Sequence, residues 1–190
     1  MEGRCPKCGK PTVSEDYLCA DCCNVNIFDA LLEQIEKRMK ASGIPPRYLH
    51  ASLVDFQEEY DTEIGLFIMG PVGCGKTHLL AALCRNHLLK AHKCRFINAP
   101  LFFAELKADL DKSHDKIKYV SEVPYLFIDD IGAERVTDYI FEIWYRILET
   151  RYSNMLYTSV TLNSVDTLDE RLFRRLRDST KLIEMEENEV

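Results

Sequence analysis

The sequence predicts an α/β fold in which helices cover both faces of a five-stranded parallel sheet. Short apolar segments alternate with amphipathic segments from about residue 44 onward. Such alternation is typical of a parallel sheet, because each return of the chain needs a helical crossover. A glycine-rich loop also joins the first apolar segment to the first helical one. We expect a cysteine-rich segment at residues 1–24, a linker helix at 25–43 and the main domain at 44–190.

The composition is that of an ordinary globular protein, with 46% hydrophobic and 29% charged residues in a chain of 190. The sequence contains no apolar run near the ~20 residues that span a bilayer, and its first residues lack the apolar core of a signal peptide. We therefore expect a cytoplasmic protein without a membrane partner. The net charge of −7 disfavours nucleic-acid binding through overall charge alone, but it is compatible with a local basic patch.

Each expected element has its own signal in the sequence. Apolar side chains recur at helical spacing from Ile27 to Met39 and predict the linker helix, which Gly43 and the prolines after it end. Short apolar runs predict buried strands, and the amphipathic runs between them predict the covering helices. The expected strands are 65–70, 94–99, 125–129, 155–162 and 181–185, and the expected helices are 77–92, 101–111, 139–152 and 165–178.

The loop GPVGCGKT, residues 70–77, matches the phosphate-binding pattern G-x-x-x-x-G-K-[ST] and predicts binding of ATP with Mg²⁺. Its glycines let backbone N–H groups converge on phosphates. Lys76 is expected to reach the β- and γ-phosphates, and the Thr77 hydroxyl is expected to bind Mg²⁺. Cys74 is interpreted as a neutral filler, with a redox switch as the alternative. The candidate nucleotide-binding residues are Gly70, Pro71, Val72, Gly73, Cys74, Gly75, Lys76, Thr77, His78 and Asp129.

Two carboxylates end the apolar run YLFIDD, residues 125–130. A strand end in the same sheet as the phosphate loop is where an acidic residue can hold Mg²⁺, so Asp129 is expected in that role, directly or through water. Asp130 is placed to act as a catalytic base that polarises the attacking water. ATP hydrolysis is therefore expected in addition to ATP binding.

Paired cysteines in CPKC and CADC predict a structural zinc site near the start of the chain. Each Cys-x-x-Cys turn brings two thiolates within reach of one ion, and four sulfurs complete a closed tetrahedral Zn²⁺ site. Cys23 is an alternative to Cys22 as the fourth ligand, and a reactive dithiol is an alternative to zinc. Cys74, Cys84 and Cys94 are expected to be buried thiols. The expected zinc ligands are Cys5, Cys8, Cys19 and Cys22.

From residue 43 to 178 the chain resembles the AAA+ ATPases of the DnaC/DnaI helicase-loader and IstB transposition-helper group. The motifs that carry the resemblance are GPVGCGKTHLLAAL, YLFIDDIGAE and DERLFRRL. The amino-terminal cysteines are similar to the zinc-binding segment of DnaI-type loaders. The resemblance implies an AAA+ core without a C-terminal lid domain. It also implies an ATPase whose turnover is weak alone and stimulated by assembly, DNA or a partner.

The same resemblance implies roles for two further residues. Asn163 resembles the sensor residue that orients water at the γ-phosphate, with Thr161 as the alternative because the residues around Asn163 depart from the usual Thr-Ser-Asn or Thr-Thr-Asn pattern. Arg175 resembles the arginine finger that reaches the nucleotide of a neighbouring subunit, and Arg174 is its alternative. A purely structural alternative is a basic helix face that pairs with Glu170 or Asp178.

Other positions are implied to contact DNA or the adenine base. The helix that contains Phe102, Phe103 and Lys107 lies where related initiators contact single-stranded DNA, but its phenylalanines also suit a core. Tyr48 and Leu49 lie where the family packs apolar side chains around adenine. The basic stretch is formed by Lys112, Lys116 and Lys118, and a solvated loop is the alternative interpretation of it.

The resemblance implies an ATP-dependent loader that places the replicative hexameric helicase on single-stranded DNA during replication initiation. Such a loader is expected to self-associate through its ATP site. The zinc segment favours this interpretation because it is similar to the helicase-contacting arm of the loaders. Two alternatives stay open: an IstB-type transposition helper that acts on duplex DNA, and a nucleotide-dependent adaptor or inhibitor that binds the helicase without loading it.

Overall fold

The computed structural model describes residues 3–12, 20–134, 137–164 and 168–186. The chain forms two compact units, residues 1–38 and 39–190. Within the described ranges, no helix combines the length and the apolar character needed to cross a membrane.

The first unit contains a small hairpin and most of the first helix. Strand β1 (Gly3–Arg4) pairs antiparallel with β2 (Pro11–Thr12), and helix α1 runs over Ala20–Ser42. The hairpin was not predicted, because two-residue strands carry no detectable periodicity. Helix α1 begins earlier than the predicted residue 25 and includes Cys22. The predicted division of the chain at residues 24 and 43 stays a prediction.

The second unit is built on a five-stranded sheet with the order β4-β5-β6-β3-β7. All neighbouring strands in it pair in parallel, which confirms the predicted fold class. The loop at residues 70–77 follows β3, which lies between β6 and β7. The strands are β3 (Gly65–Met69), β4 (Cys94–Asn98), β5 (Tyr125–Asp129), β6 (Tyr157–Leu162) and β7 (Thr180–Glu184).

Side chains at helix starts explain several of the helix bounds. The carbonyl oxygen of the Asn98 side chain, the Thr137 hydroxyl and the Asp169 carboxylate each accept a backbone N–H in the first turn of a helix, which satisfies a donor that the helix leaves unpaired. The helices are α2 (Lys76–Leu89), α3 (Ala99–Ala108), α4 (Ser113–Glu122), α5 (Asp138–Ser153) and α6 (Glu170–Ser179).

Helix α4 was not predicted from the sequence. It was interpreted as part of a basic stretch or a solvated loop, because only Ile117 and Val120 form its narrow apolar face. Two lysines of the stretch pair with acids instead of forming an open basic patch. Lys112 lies 3.3 Å from Asp109, and Lys116 lies 3.7 Å from Glu105.

Alternate residues of the central strands face opposite layers of helices. Phe67, Ile128 and Val160 belong to a buried cluster with residues of α3, α4, α5 and α6. On the other face, α2 packs against β4, β5 and β6, and His87 of α2 contacts the Phe127 ring. Because side chains alternate across a strand, helices cover both faces of the sheet, as predicted. The predicted burial of Cys74, Cys84 and Cys94 is also confirmed.

A buried arginine connects α5 to the end of the sheet at which the parallel strands begin. This end lies opposite the glycine-rich loop. Arg151 donates from Nη1 to the carbonyls of Val120 at 2.9 Å and Val123 at 2.7 Å. It also donates from Nη2 to the Tyr157 carbonyl at 2.6 Å and from Nε to the Thr158 hydroxyl at 2.9 Å. Burial lowers the pKa of Arg151 to about 9. The rigid fork of a guanidinium suits this position, since its donors diverge toward separate chain segments.

A histidine lies in an aromatic cluster at the same end of the sheet, beside the first residues of β5 and β6. The Nδ1 atoms of His87 and His92 are 3.1 Å apart, and the His87 ring lies 4.5 Å from Tyr125 and 4.6 Å from Tyr157. Burial, together with the nearby His92 and Lys90, lowers the pKa of His87 to about 4. His87 is therefore neutral in the folded protein at neutral pH.

We predict that His87 makes the fold sensitive to mild acid. Its pKa is about 4 when folded and about 6.5 in an unfolded chain, so between these values the unfolded state binds more protons and stability falls as pH falls. The loss is roughly 2–3 kcal/mol over that interval. His87→Phe should reduce it, measured by urea unfolding at pH 7 and pH 4.5. The exposed-site variant His114→Phe is the control, and equal losses in the two variants contradict the prediction.

Candidate nucleotide-binding site

The loop at residues 70–77 curls between the end of β3 and the start of α2. Gly73 and Gly75 have φ values of 92° and 99°, a conformation that side-chain-bearing residues rarely adopt. Helix α2 begins directly after Gly75, so its first backbone N–H groups lie beside the loop, where the helix dipole favours an anion. Pro71 and Val72 are exposed, whereas Cys74 is buried. The burial of Cys74 agrees with its interpretation as a filler.

Lys76 is buried inside this loop. Its Nζ donates to the carbonyl of Gly70 at 2.8 Å and to that of Pro71 at 2.6 Å. The ammonium group is thereby held at the centre of the loop without a carboxylate among these partners. A cation in this place, with helix N–H groups beside it, forms a receptive site for phosphate oxygens.

Asp129 is the last residue of β5, at the carboxyl ends of the parallel strands. Its side chain accepts hydrogen bonds from residues of α2, β6 and β4. Its Oδ1 accepts from the Thr77 hydroxyl at 2.9 Å and from the Thr161 hydroxyl at 3.0 Å, and its Oδ2 accepts from Asn98 Nδ2 at 3.5 Å. Burial raises the pKa of the Asp129 carboxyl, the Asp130 charge raises it further, and these three hydrogen bonds oppose the rise. Two adjacent carboxylates and a hydroxyl form a hard-oxygen donor set that fits Mg²⁺.

Asp130 follows in a left-handed conformation, with φ 57°. Its backbone N–H donates to the Thr161 hydroxyl at 2.8 Å, and its Oδ1 lies 3.5 Å from Asn163 Nδ2. Both candidates for the sensor position therefore lie against the acidic pair. Thr161 is buried between the two aspartates, and Asn163 is exposed at the outer side of Asp130. The left-handed backbone at Asp130 costs of order 1 kcal/mol.

A cleft of about 710 Å³ lies beside the loop. His78 forms part of its wall and lies 2.8 Å from the Asp55 carboxylate through Nε2. The His78 ring also meets the edges of Tyr48 and Phe56. Tyr48, an expected adenine contact, therefore supports the wall, and neither it nor Leu49 is among the described lining residues. The cleft is lined by Asp55, Phe56, Gln57, Glu58, Tyr60, Cys74, Gly75, His78, Glu184, Met185 and Glu186.

Arg174 and Arg175 both line a surface pocket of about 370 Å³, which is formed by residues of α5 and α6. Arg175 Nε donates to Glu149 at 2.5 Å, and its guanidinium lies 5.1 Å from the Tyr152 ring centre. Arg175 therefore pairs with an acid of α5, while Asp178 lies 3.8 Å from Arg177 of the same basic helix. Sequence spacing within one helix could not reveal a partner on a neighbouring helix.

The two phenylalanines of α3 are core residues. Phe102 and Phe103 are 5% and 2% exposed, and both pack against the Trp144 ring. Neither ring is available to stack on a nucleic-acid base, so the structure confirms the core alternative for these two phenylalanines. Lys107 of the same helix is exposed.

The cysteines near the start of the chain form a sulfur cluster. The Sγ atoms of Cys5, Cys8 and Cys22 all lie within 4.8 Å of one another. Thiolates on one tetrahedral Zn²⁺ are about 3.8 Å apart, so the cluster fits that ion. The turn between Cys5 and Cys8 is closed by hydrogen bonds from Gly9 N to Cys5 O and from Cys5 N to Lys10 O, both 2.8 Å. Cys19 and the side chain of Cys23 lie outside the described residues.

Three contributors to the site region were not predicted from the sequence. Asn98 ends β4 and contacts Asp129, and its place at the carboxyl end of a strand was the available signal. Asp55 pairs with His78 across a gap of 23 residues, which no local pattern indicates. Glu134 accepts hydrogen bonds from Gly132 N and Trp144 Nε1, although it belongs to the recognised run DDIGAE.

Comparisons with known proteins agree with this geometry. Residues 47–181 match the family of the bacterial DnaA ATPase domain. The replicative helicase loader DnaI of Bacillus subtilis (strain 168) is 32% identical over 117 residues, which cover 58% of this chain and 38% of that protein. The replicative helicase loader DnaC of Escherichia coli (strain K12) is 28% identical over 184 residues, which cover 80% of this chain and 75% of that protein.

A solved structure of DnaI has the same fold. Its TM-score is 0.63 at 26% identity, and the match covers 74% of this chain and 94% of that one. The sequence match to the Bacillus protein nevertheless spans well under half of that relative's length.

We predict that the purified chain contains one Zn²⁺ and that Cys8→Ser loses it. Removing one thiolate from a tetrahedral sulfur site strongly lowers its affinity for zinc. Metal content per chain, measured by mass spectrometry, tests this prediction. Cys94→Ser, a change at a buried thiol of the second unit, should keep the zinc of the wild type. Equal zinc in the Cys8→Ser variant and the wild type would contradict the prediction.

Proposed function

Because this chain belongs to the family of the bacterial DnaA ATPase domain, we propose that it is an ATP-dependent loader of a replicative DNA helicase onto single-stranded DNA. Two of its relatives are named as replicative helicase loaders, and the arrangement of Lys76, Thr77 and Asp129 supports binding of ATP with Mg²⁺. The observation that carries the proposal is the junction at Asp129, which accepts hydrogen bonds from Thr77 beside the phosphate loop and from Thr161 on the neighbouring strand.

The loop at residues 70–77 is proposed to hold the triphosphate. Lys76 would exchange its bonds to the Gly70 and Pro71 carbonyls for phosphate oxygens, because a phosphate offers it full charge compensation. Thr77 and Asp129 are the residues proposed to hold Mg²⁺, which supplies neutralisation of phosphate charge when bound. The nucleoside would occupy the cleft of about 710 Å³ beside His78.

Asp130 is the proposed general base for hydrolysis. It is more exposed than Asp129, so water can reach it, and its hydrogen bond from Asn163 would orient its carboxylate. The Asp130 backbone N–H donates to the Thr161 hydroxyl, and this hydrogen bond fixes the backbone at Asp130. On this proposal the buried Asp129 serves the metal and the more exposed Asp130 serves the water.

Arg175 is proposed to complete the site of a neighbouring subunit. Glu149 and Tyr152 hold its guanidinium at the surface of α5 and α6, where a second copy of the chain can approach. A cation supplied in this way stabilises charge on the transferring phosphoryl group. Arg174, which is exposed in the same pocket, is the alternative donor. Self-association through the ATP site would therefore couple turnover to assembly.

The cysteine cluster is proposed to be a Zn²⁺-stabilised docking element for the helicase. Cys5, Cys8 and Cys22 supply three sulfurs, and Cys19 is proposed as the fourth. Zinc would provide the folding free energy that so small a hairpin cannot gain from a core.

The proposal is tested by co-elution of the chain with a hexameric replicative helicase, with and without ATP. The wild-type chain should co-elute, and ATP should increase the bound fraction because assembly follows nucleotide binding. Lys76→Ala should lose the increase by ATP, and Cys5→Ser with Cys8→Ser should lose co-elution. Lys181→Ala, an exposed lysine on β7, is the control and should behave as wild type. Failure of the wild type to co-elute under any nucleotide condition would reject a helicase loader.

A further inference from the structure

The turn that carries Asp130 is held at several backbone positions. Ala133 N donates to the Asp130 carbonyl at 3.2 Å, and Ile131 N donates to the Thr161 carbonyl at 3.0 Å. Asp130 and Gly132 both have positive φ, 57° and 82°. A turn with a strained non-glycine residue persists only where its surroundings hold it. The orientation of Asp130 therefore depends on what fixes this turn.

Glu134 connects the turn to helix α5. Its Oε2 accepts from Gly132 N at 3.1 Å, and its Oε1 accepts from the Trp144 indole Nε1 at 2.5 Å. Burial raises the pKa of the Glu134 carboxyl, and the hydrogen bonds from Trp144 and Gly132 oppose that rise. Both partners are N–H donors, so the carboxylate satisfies them from its two oxygens at once.

Trp144 is a rigid anchor for this contact. It is 1% exposed and lies within α5, and its ring packs at 5.3 Å from Phe103 and 6.2 Å from Phe102 of α3. A large side chain packed on two elements has little freedom to move. Its indole N–H consequently presents a fixed donor to Glu134.

We propose that Glu134 is a positioning residue for ATP hydrolysis, which holds the Asp130 turn by bridging the Gly132 amide and the Trp144 indole. This inference rests on the proposed role of Asp130 as the base. Glu134 acts through the turn and touches neither nucleotide nor metal in this account. Its loss should therefore reduce the rate of turnover and leave nucleotide affinity unchanged.

Glu134→Gln is a sharp test because it preserves size and removes one acceptor. A glutamine amide has a single carbonyl oxygen, so its NH₂ must face either Gly132 N–H or Trp144 Nε1–H, and both are donors. One of the two hydrogen bonds is lost, and the turn gains freedom. A misplacement of about 1 Å at a reacting group costs roughly 10- to 100-fold in rate. We expect kcat for ATP to fall by this factor, with the Kd for ATP within about twofold of wild type.

The control is Glu142→Gln, the same chemical change at an exposed position of α5. This variant should keep the wild-type kcat. A second comparison places Glu134→Gln in a Trp144→Phe background, where the indole donor is absent and the glutamine oxygen is free to accept from Gly132. The fall in kcat caused by Glu134→Gln should then largely disappear. An equal fall in both backgrounds, or no fall in the wild-type background, overturns the proposal.

A spectroscopic measurement tests the bridge without any turnover. The chain has one tryptophan, so a single indole N–H resonance reports on Trp144. Its exchange with solvent should be slow in the wild type and in Glu142→Gln, and at least about tenfold faster in Glu134→Ala, because alanine removes both carboxylate oxygens and so removes the acceptor of the indole N–H. Unchanged exchange overturns the bridge. Absent ATP turnover by the wild type, even with helicase and DNA, would instead reject the proposed function.

Discussion

A buried carboxylate needs hydrogen-bond donors or a cation, and Asp129 determines how this edge of the sheet is organised. Parallel pairing aligns the ends of β3, β5 and β6, so Asp129 lies beside Thr161 and within reach of Thr77. The two hydroxyls satisfy one carboxylate oxygen, and the adjacent Asp130 charge leaves the pair suited to a divalent cation. These hydrogen bonds connect the loop at residues 70–77, the acidic pair and the sensor candidate Thr161.

Sequence reasoning can address features that depend on residues close together in the chain. The phosphate loop, the aspartate pair and the five parallel strands each follow from local patterns, and the structure gives the strands in one parallel sheet. It failed where a partner comes from a distant segment. Glu149 on α5 pairs with Arg175, and Trp144 covers Phe102 and Phe103. Helix α4 was missed because its apolar face is only two residues wide.

The proposed catalytic groups depend on helix α5 in two separate places. Near its middle, Trp144 contacts Glu134 and, through it, the Asp130 turn. Near its end, Glu149 orients Arg175 toward a pocket on the surface. One helix therefore supports the proposed base of this subunit and the proposed cation for the next. Such an arrangement would make hydrolysis sensitive to contacts between subunits.

The most direct test of the loader account is helicase-driven unwinding of a fork whose single strands are coated with a single-strand-binding protein. If the chain is a loader, adding it with ATP raises the amount of DNA unwound, because the helicase is delivered to strands that it cannot otherwise reach. An unchanged or lower amount of unwinding, with helicase binding intact, would contradict loading and identify the chain as an adaptor or inhibitor of the helicase.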